Sequence, residues 1–355
     1  MTEPTCVLAL IPAHNEAASI VATIRSLQAQ TIQLASIVVV ADNCTDNTAR
    51  LARAAGAEVM ITVGNRDKKA GAMNFGLAHL LPSCDDDAHI LITDADSILN
   101  VDWVERALTA LRKRGVGAVC ANFFGEPTEH GLLHILQRNE YARFARLVSR
   151  RRSRAQVLSG VATIFPVHIL RQVLAGRSTG KLPPAPGVYA VTASTEDIEM
   201  THAVLQLGYR PLAPAGCVAW TDTMATLAAL KHQRIRWQRG MIDSLRMYGV
   251  GRVTLPYLGR ITTIYALSLL TPIYLLLLVV TVAGHGSFTY DPRWLLTLPI
   301  FMFERVWTVR DQGWRSILIA ALLVPEWAYE MYRSWVYWVA LFRSARGADL
   351  AWIPT

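Results

Sequence analysis

Features that would mark a secreted, disulfide-bonded or nucleic-acid-binding protein are scarce in this sequence. Its 355 residues hold five cysteines, Cys6, Cys44, Cys84, Cys120 and Cys217. No two share metal-ligand spacing and the count is odd, so a reducing, cytoplasmic compartment is the simplest inference. Residues 1–5 lack the basic stretch of a signal peptide, and the apolar residues 7–11 are too few for its core. They read as a strand, and nothing is expected to export the first domain. There are no repeats or low-complexity tracts. No recognised nucleic-acid motif accompanies the net charge of +8, which argues against that partner. Charge itself is missing from residues 262–283, 22 consecutive positions.

Hydrophobic residues make up 52% of the chain, and its mean hydropathy is positive. Many of the basic residues lie near the middle and just before the uncharged run, as expected for a membrane surface or an anionic substrate. The length suggests two units, since domains usually run to about 100–200 residues.

Residues 6–125 alternate apolar runs with helical patterns. Strands are expected at 6–11, 36–41, 58–63 and 89–93, and helices at 17–29, 48–55, 70–81 and 102–114. Continuous apolar strands separated by helices predict a parallel sheet covered on both faces. Ligands of such sheets bind beyond the carboxyl ends of the strands. His14-Asn15-Glu16, Asp42-Asn43 and Asp94-Ala95-Asp96 each follow a strand directly. Residues 130–155 read as a basic helix, and the Gly- and Pro-rich residues 176–190 as a loop, mobile over the site.

Residues 262–283 are long enough for one membrane span, and Pro272 is tolerable in a membrane helix. Residues 294–303 are too short to span alone and read as re-entrant, interfacial or half of a longer tilted helix. Residues 316–342 are long enough, but Pro325, Glu326, Glu330 and Arg333 interrupt them. The positive-inside rule places residues 231–260 in the cytoplasm, residues 284–293 outside, and Arg305, Arg310 and Arg315 inside again. The tail is therefore expected to be multi-pass or partly re-entrant.

Three motifs carry chemistry. Asp94 and Asp96, two residues apart at a strand end, can share one hard cation. Mg²⁺ and Mn²⁺ are bound by few carboxylates plus substrate phosphates, and neutralise charge on a leaving diphosphate. Asp197, in Ser194-Thr195-Glu196-Asp197, is a candidate general base whose pKa Glu196 and Glu199 would raise. Thr195 followed by acids is also ordinary helix capping. In Gln233-Arg234-Ile235-Arg236-Trp237 the helical spacing puts Gln233 with Arg236 or Trp237 on one face. Arg236 can pair with a diphosphate and Trp237 can stack on an acceptor ring. Lys231, Arg234 and Arg239 suit a basic helix lying on the membrane with its opposite face. Lys68 and Lys69 before Gly71 suit phosphate or ribose contact.

With these residues in view, the chain resembles the membrane-embedded, inverting branch of glycosyltransferase family 2. That branch includes cellulose, hyaluronan, chitin-oligosaccharide and poly-N-acetylglucosamine synthases. The resemblance covers about residues 5–260 by ordered motifs. It implies a Rossmann-like GT-A fold, a nucleotide-sugar donor (a UDP-sugar) and Mn²⁺ or Mg²⁺. On it, Pro12 and Glu16 of Ile11-Pro12-Ala13-His14-Asn15-Glu16 lie near the uridine, and Asp42 binds the nucleotide. Lys69 matches the lysine before Gly71-Ala72-Met73-Asn74; Asp94 meets the nucleotide and Asp96 the metal. Ser159 and Gly160, with Glu196 and Trp237, face the acceptor. Asp197 is the base, and Gln233 and Arg236 bind the donor. The implied organisation is a catalytic domain at 1–230, an interfacial helix region at 231–260 and a membrane region at 261–355.

The chain departs from the large polymer synthases in having no membrane helices ahead of its catalytic domain and a short tail. Residues 307–313 are only faintly similar to a cellulose synthase gating loop. A translocation channel would then need a homo-oligomer, or the product is short. The acceptor stays open between a saccharide chain, a lipid carrier and a protein, at a bilayer. A silent nucleotide-binding membrane protein is the alternative of another class.

Overall fold

The expected strands at 6–11, 36–41 and 89–93 carry buried apolar side chains on both faces, whereas the one at 58–63 lies at the sheet edge with Ile61 exposed. The computed structural model describes residues 6–128, 130–285 and 292–346. In chain order it has β1 (Val7–Ala13), α1 (Ile20–Gln28), β2 (Ser36–Asp42), α2 (Thr48–Ala54), β3 (Glu58–Thr62) and α3 (Lys68–Leu80). Then come β4 (His89–Thr93), β5 (Ile98–Leu99), α4 (Trp103–Leu111), β6 (Val116–Cys120), β7 (Asn122–Gly125) and α5 (Leu132–Arg150). β8 (Ala162–Pro166), α6 (Val167–Ser178), α7 (Glu196–Gln206), β9 (Arg210–Leu212) and β10 (Val218–Thr221) complete the sheets. The remaining helices are α8 (Leu227–Tyr248), α9 (Leu255–His285), α10 (Leu298–Val309), α11 (Trp314–Leu322) and α12 (Val324–Ala345).

The main sheet has the order β3-β2-β1-β4-β8-β6-β9. β1 to β4 run parallel, as the sequence predicts, but β8 is antiparallel to both β4 and β6, so the sheet is mixed. The period-two alternation sorts its side chains. Leu10, Val38, Val40, Ile90 and Ile92 enter one core with Met73 and Leu77 of α3. Ala9, Ile11, Val39 and Leu91 enter the other with Ile24 of α1 and Trp103 of α4. Between β2 and β4 the strand order reverses about β1, and the acidic strand ends gather at that switch.

The Gly- and Pro-rich segment after α6 is a loop, but it is pinned. Asn74 donates to the Tyr189 carbonyl at 2.9 Å and accepts from its N–H at 2.8 Å. Arg177 donates to Val188 and Pro183 carbonyls, and Val188, Tyr189 and Ala190 are buried. This anchoring runs against the expectation of a mobile segment.

Residues 262–283 lie inside α9. Among the described residues it is the one helix long and apolar enough to cross a membrane, over Leu255–Gly284, and that stretch is unburied. Residues 316–342 do not form a second continuous span. Leu323, with φ at 58°, breaks them into α11 and α12. Glu326 and Arg333, which interrupt the apolar pattern, are drawn to α5. Arg143 holds Glu326 with two contacts at 2.7 and 2.8 Å, and Asn139 adds one at 3.0 Å. Residues 294–303 divide between a 3₁₀ turn, Pro292–Thr297, and the start of α10. In residues 307–313, Arg146 pairs with Asp311 and Arg138 donates to the Gln312 carbonyl, fastening that segment to α5. Residues 286–291, within the loop assigned to the outside, lie beyond the described residues.

Candidate active site

A half-buried ammonium group draws the motifs together. Lys69, from the first turn of α3, is ion-paired with Asp94, just past β4, and reaches Glu196 Oε1, in the first turn of α7, at 2.9 Å. Burial alone would lower its pKa, but the two carboxylates more than offset that and hold it above the ordinary lysine value. Gly160 lies against this pair. A Cβ there would stand 2.9 Å from Lys69 Nζ and 3.2 Å from Asp94 Oδ2, so any other residue would push on this ion pair. The Asp94 N–H donates to the Gly160 carbonyl at 3.1 Å.

Asp96 stands beyond Asp94, with Ser97 Oγ 3.3 Å from Oδ1. Burial, then the charges of Asp94, Asp222 and Glu16, push its pKa up to about 7. Burial, chiefly, also raises that of Glu16. The carboxylates of this group outnumber its one ammonium, Lys69, as expected of a site for a hard cation before loading. Among the described residues no three His, Cys, Asp or Glu side chains form a ready metal cage. A site of one or two carboxylates completed by substrate phosphates fits Mg²⁺ or Mn²⁺, which dehydrate reluctantly and seldom take all-protein cages.

Asp197 sits half-buried in the first turn of α7, and its Oδ1 accepts the Ile198 N–H at 2.8 Å. Burial first, and the Glu196 charge second, push its pKa up to about 7. Glu199, expected to contribute, is instead buried against Arg177 at 2.8 Å and Tyr248 Oη at 2.6 Å. Thr195 stands at the N-cap without a side-chain capping bond, so the capping expectation holds for position only. Thr201 ties the mount down. Its hydroxyl donates to the Asp197 carbonyl at 2.6 Å and accepts the Leu158 N–H at 2.8 Å, beside Ser159.

The opposite wall is α8, packed between α7 and α12. Gln233 is buried, with no hydrogen bond to its Oε1. Arg236 lines the cavity and its charge acts on Glu196. Arg234 does not share a membrane-facing side with Lys231. It is fully buried, 2.8 Å from Glu140 Oε2, with its guanidinium 4.2 Å over the Trp237 ring. Glu140 also takes Arg333 at 3.2 Å and Tyr329 Oη at 2.6 Å. The expectation of one free basic face on this helix is thus corrected: the middle of α8 is enclosed by α5 and α12.

One cavity of about 1940 Å³ joins these parts. Glu16, Lys69, Asp94, Asp96, Glu196 and Asp197 line one side, with Ser159 and Gly160 on its floor. Gln233, Arg236 and Trp237 line the other. Pro12 and Asp42 stand outside this lining. Pro12 is buried in β1, and Asp42 Oδ1 accepts from Thr62, from Asn65 at 2.9 Å and from Asn43 at 3.3 Å.

Sequence reasoning missed Asp222, Glu140 and Gly240. Asp222 directly follows β10, and its position at a strand end is the signal that could have found it. Glu140 is the lone acid of the otherwise basic α5. Gly240 gave no signal, yet a Cβ there would fall 1.7 Å from Thr195 Oγ1, so α8 can approach α7 only at glycine.

The chain resembles known proteins in sequence and in fold. Residues 9–174 match the family model described as glycosyl transferase family 2. The poly-β-1,6-N-acetyl-D-glucosamine synthase of Staphylococcus aureus strain COL is 25% identical over 241 residues, 65% of this chain and 53% of that protein. The chain therefore spans about half the length of the curated relatives it matches. Among solved structures, a mannosyltransferase from Pyrobaculum calidifontis in complex with GDP-Man and Mn²⁺ superposes with a TM-score of 0.63. It is 18% identical, covers 98% of this chain and 89% of its own, and shows the likeness of fold alone. By these matches residues 9–174, just under half of the chain, are similar to glycosyl transferase family 2, and the chain has a mixed α/β, GT-A-like fold.

Proposed function

We propose that the protein moves a sugar from a nucleoside-diphosphate donor to an acceptor hydroxyl, with inversion, at the cytoplasmic face of a membrane. The observation that carries this reading is the single cavity between Asp94, Asp96 and Asp197 on one wall and Gln233, Arg236 and Trp237 on the other. Asp197, half-buried and with its pKa raised toward neutrality, takes the proton of the acceptor hydroxyl as its oxygen attacks the anomeric carbon. Gln233 and Arg236 hold the donor diphosphate, and Asp94 and Lys69 fix its nucleotide side. Pro12, Glu16 and Asp42 serve the base and ribose from the strand ends. Ser159, Gly160, Glu196 and Trp237 receive the acceptor. A Mn²⁺ or Mg²⁺ ion on Asp96 would supply neutralising charge to the leaving diphosphate; the solved mannosyltransferase holds Mn²⁺.

The donor is a UDP-sugar on this reading, and the polymer in the relatives' name supports N-acetylglucosamine as its sugar. The proposed organisation keeps residues 1–230 as the catalytic domain, 231–260 as the helix region that closes it and 261–355 as the membrane-associated part. α9 enters the bilayer. Exposed Phe301, Phe303, Trp307, Trp314 and Trp335 on α10 to α12 suit its interface. Purified protein supplied with Mn²⁺ and a panel of nucleotide sugars is expected to release one nucleoside diphosphate. Nucleotide binding with no release from any donor would favour a silent binding protein instead.

A further inference from the structure

The cavity does not end at the chemistry. It continues along the apolar helix α9, where Arg260, Ile261, Ile264, Leu267 and Thr271 line it, as does Tyr257. Their spacing follows one helical face, and from 257 to 271 that face is about 21 Å long. The facing wall is α12, through Trp327, Met331, Ser334 and Tyr337, again three or four residues apart. Ligand pockets for small molecules usually hold about 300–1,000 Å³, so this cavity has room for more than a donor and one sugar.

Its lining changes character along its length. Carboxylates and Lys69 mark the catalytic end; Ile261, Ile264 and Leu267 mark the far end, on the helix apolar enough to cross a membrane. Between them lies Arg260. The other charges there are paired: Arg239 and Arg246 lie 3.6 and 3.8 Å from Asp243, and Arg333 lies 3.1 Å from Glu330. Among the described residues no carboxylate pairs with Arg260, and the charged group that acts on it is another cation, Arg151. A half-buried guanidinium facing a cavity without a counter-ion matches an anionic ligand group.

We infer that the acceptor is a lipid-linked saccharide: a sugar whose hydroxyl reaches Asp197, a phosphate or diphosphate linker held by Arg260, and an apolar chain lying between α9 and α12. The inference rests on the transferase reading above and names its acceptor class. The acceptor hydroxyl oxygen forms the new bond to the anomeric carbon. The bond from that carbon to the donor diphosphate breaks, its electron pair leaves with the nucleoside diphosphate, and the hydroxyl proton passes to Asp197. A polymer threading the cavity would meet Ile264 and Leu267 with sugar hydroxyls that they cannot hydrogen-bond.

The test uses the full chain in neutral phospholipid vesicles, with the donor found by nucleotide release. Three acceptors share one N-acetylglucosamine: joined by diphosphate to a long polyprenyl chain, joined by diphosphate to a methyl group, and joined to a long alkyl chain without phosphate. The first is expected to have a KM at least about tenfold below both others, since a bond to a charged group is worth about that factor. Arg260→Gln is expected to raise the KM of the first about tenfold, toward that of the phosphate-free lipid, and Arg260→Lys to restore part of it. Equal KM values for the three, or an unchanged KM in Arg260→Gln, would overturn the inference. So would an Arg260 effect that follows the anionic phospholipid content of the vesicles with the methyl acceptor, for then the site holds bulk headgroups. Absence of nucleotide release with every donor overturns the transferase reading itself. Release without the acceptor preference overturns only this assignment.

Discussion

Glu140→Gln isolates the link between the C-terminal helices and the acceptor wall. The carboxylate takes Arg234 at 2.8 Å, Arg333 at 3.2 Å and Tyr329 at 2.6 Å, inside the protein. Arg333 keeps Glu330 at 3.1 Å when Glu140 is neutral, but Arg234 keeps only the Trp237 and Tyr141 rings. Removing one partner of a buried pair costs roughly 3–5 kcal/mol, and the amide oxygen, still accepting one bond, puts the variant near the lower figure. At about 1–2 °C per kcal/mol for a chain of 355 residues, Tm should fall by roughly 3–6 °C. Because Arg234 covers the Trp237 ring, acceptor KM should rise more than donor KM. The assays are a thermal scan in detergent and transfer kinetics at saturating donor. Adding Arg234→Met should recover part of the stability, since it removes the orphaned charge, and should not recover acceptor KM. A Tm within about 2 °C of wild type, or additive effects in the double variant, would refute the argument that this ion pair is buried and coupled. The two arginines outweigh burial and hold the Glu140 carboxyl below its ordinary 4.5. Its contribution is therefore present above about pH 4.5 and lost as pH falls through the depressed value.

Asp197→Asn should reduce transfer by about 10²–10⁴-fold while nucleotide binding, followed by calorimetry, persists; full transfer would remove the base assignment. With the Asp197 pKa near 7 the base is ionised above that value, so transfer should rise with pH to a plateau above about 7. A flat profile from about pH 5.5 to 8 would contradict it. Gly240→Ala places a Cβ 1.7 Å from Thr195 Oγ1, so α8 must shift. A loss of about 1–3 kcal/mol and reduced transfer are expected, with part of both restored by Thr195→Ala. Removal of divalent metal with EDTA should abolish transfer and weaken nucleotide binding, and Mn²⁺ or Mg²⁺ should restore both.

The parallel half of the sheet and the strand-end acids were legible because both are local. An apolar run of five or six residues bounded by Gly, Asn or Asp marks a strand, and a polar residue directly after it sits at a known edge. β8 reads as an equally apolar run, yet its direction follows from the long connection after α5, which no local pattern carries. The ordered acids, Lys69 and the Gln-x-x-Arg-Trp helix were found for the same local reason. Glu140 was not, since its meaning lies in Arg234 and Arg333, far off in the chain.

By itself the sequence determined the layered fold, the set of reactive side chains and the uncharged run within α9, because hydrophobic period and residue chemistry are properties of short segments. Only the tertiary structure decided how charges were used. Arg234, Glu326 and Arg333 look like surface or membrane-flanking charges until Glu140, Asn139 and Arg143 are seen beside them. The same packing left Arg260 without a counter-ion and extended the cavity along α9. Burial and pairing depend on residues far apart in the chain, and they set both the Asp197 pKa and the shape of the space that an acceptor must fill.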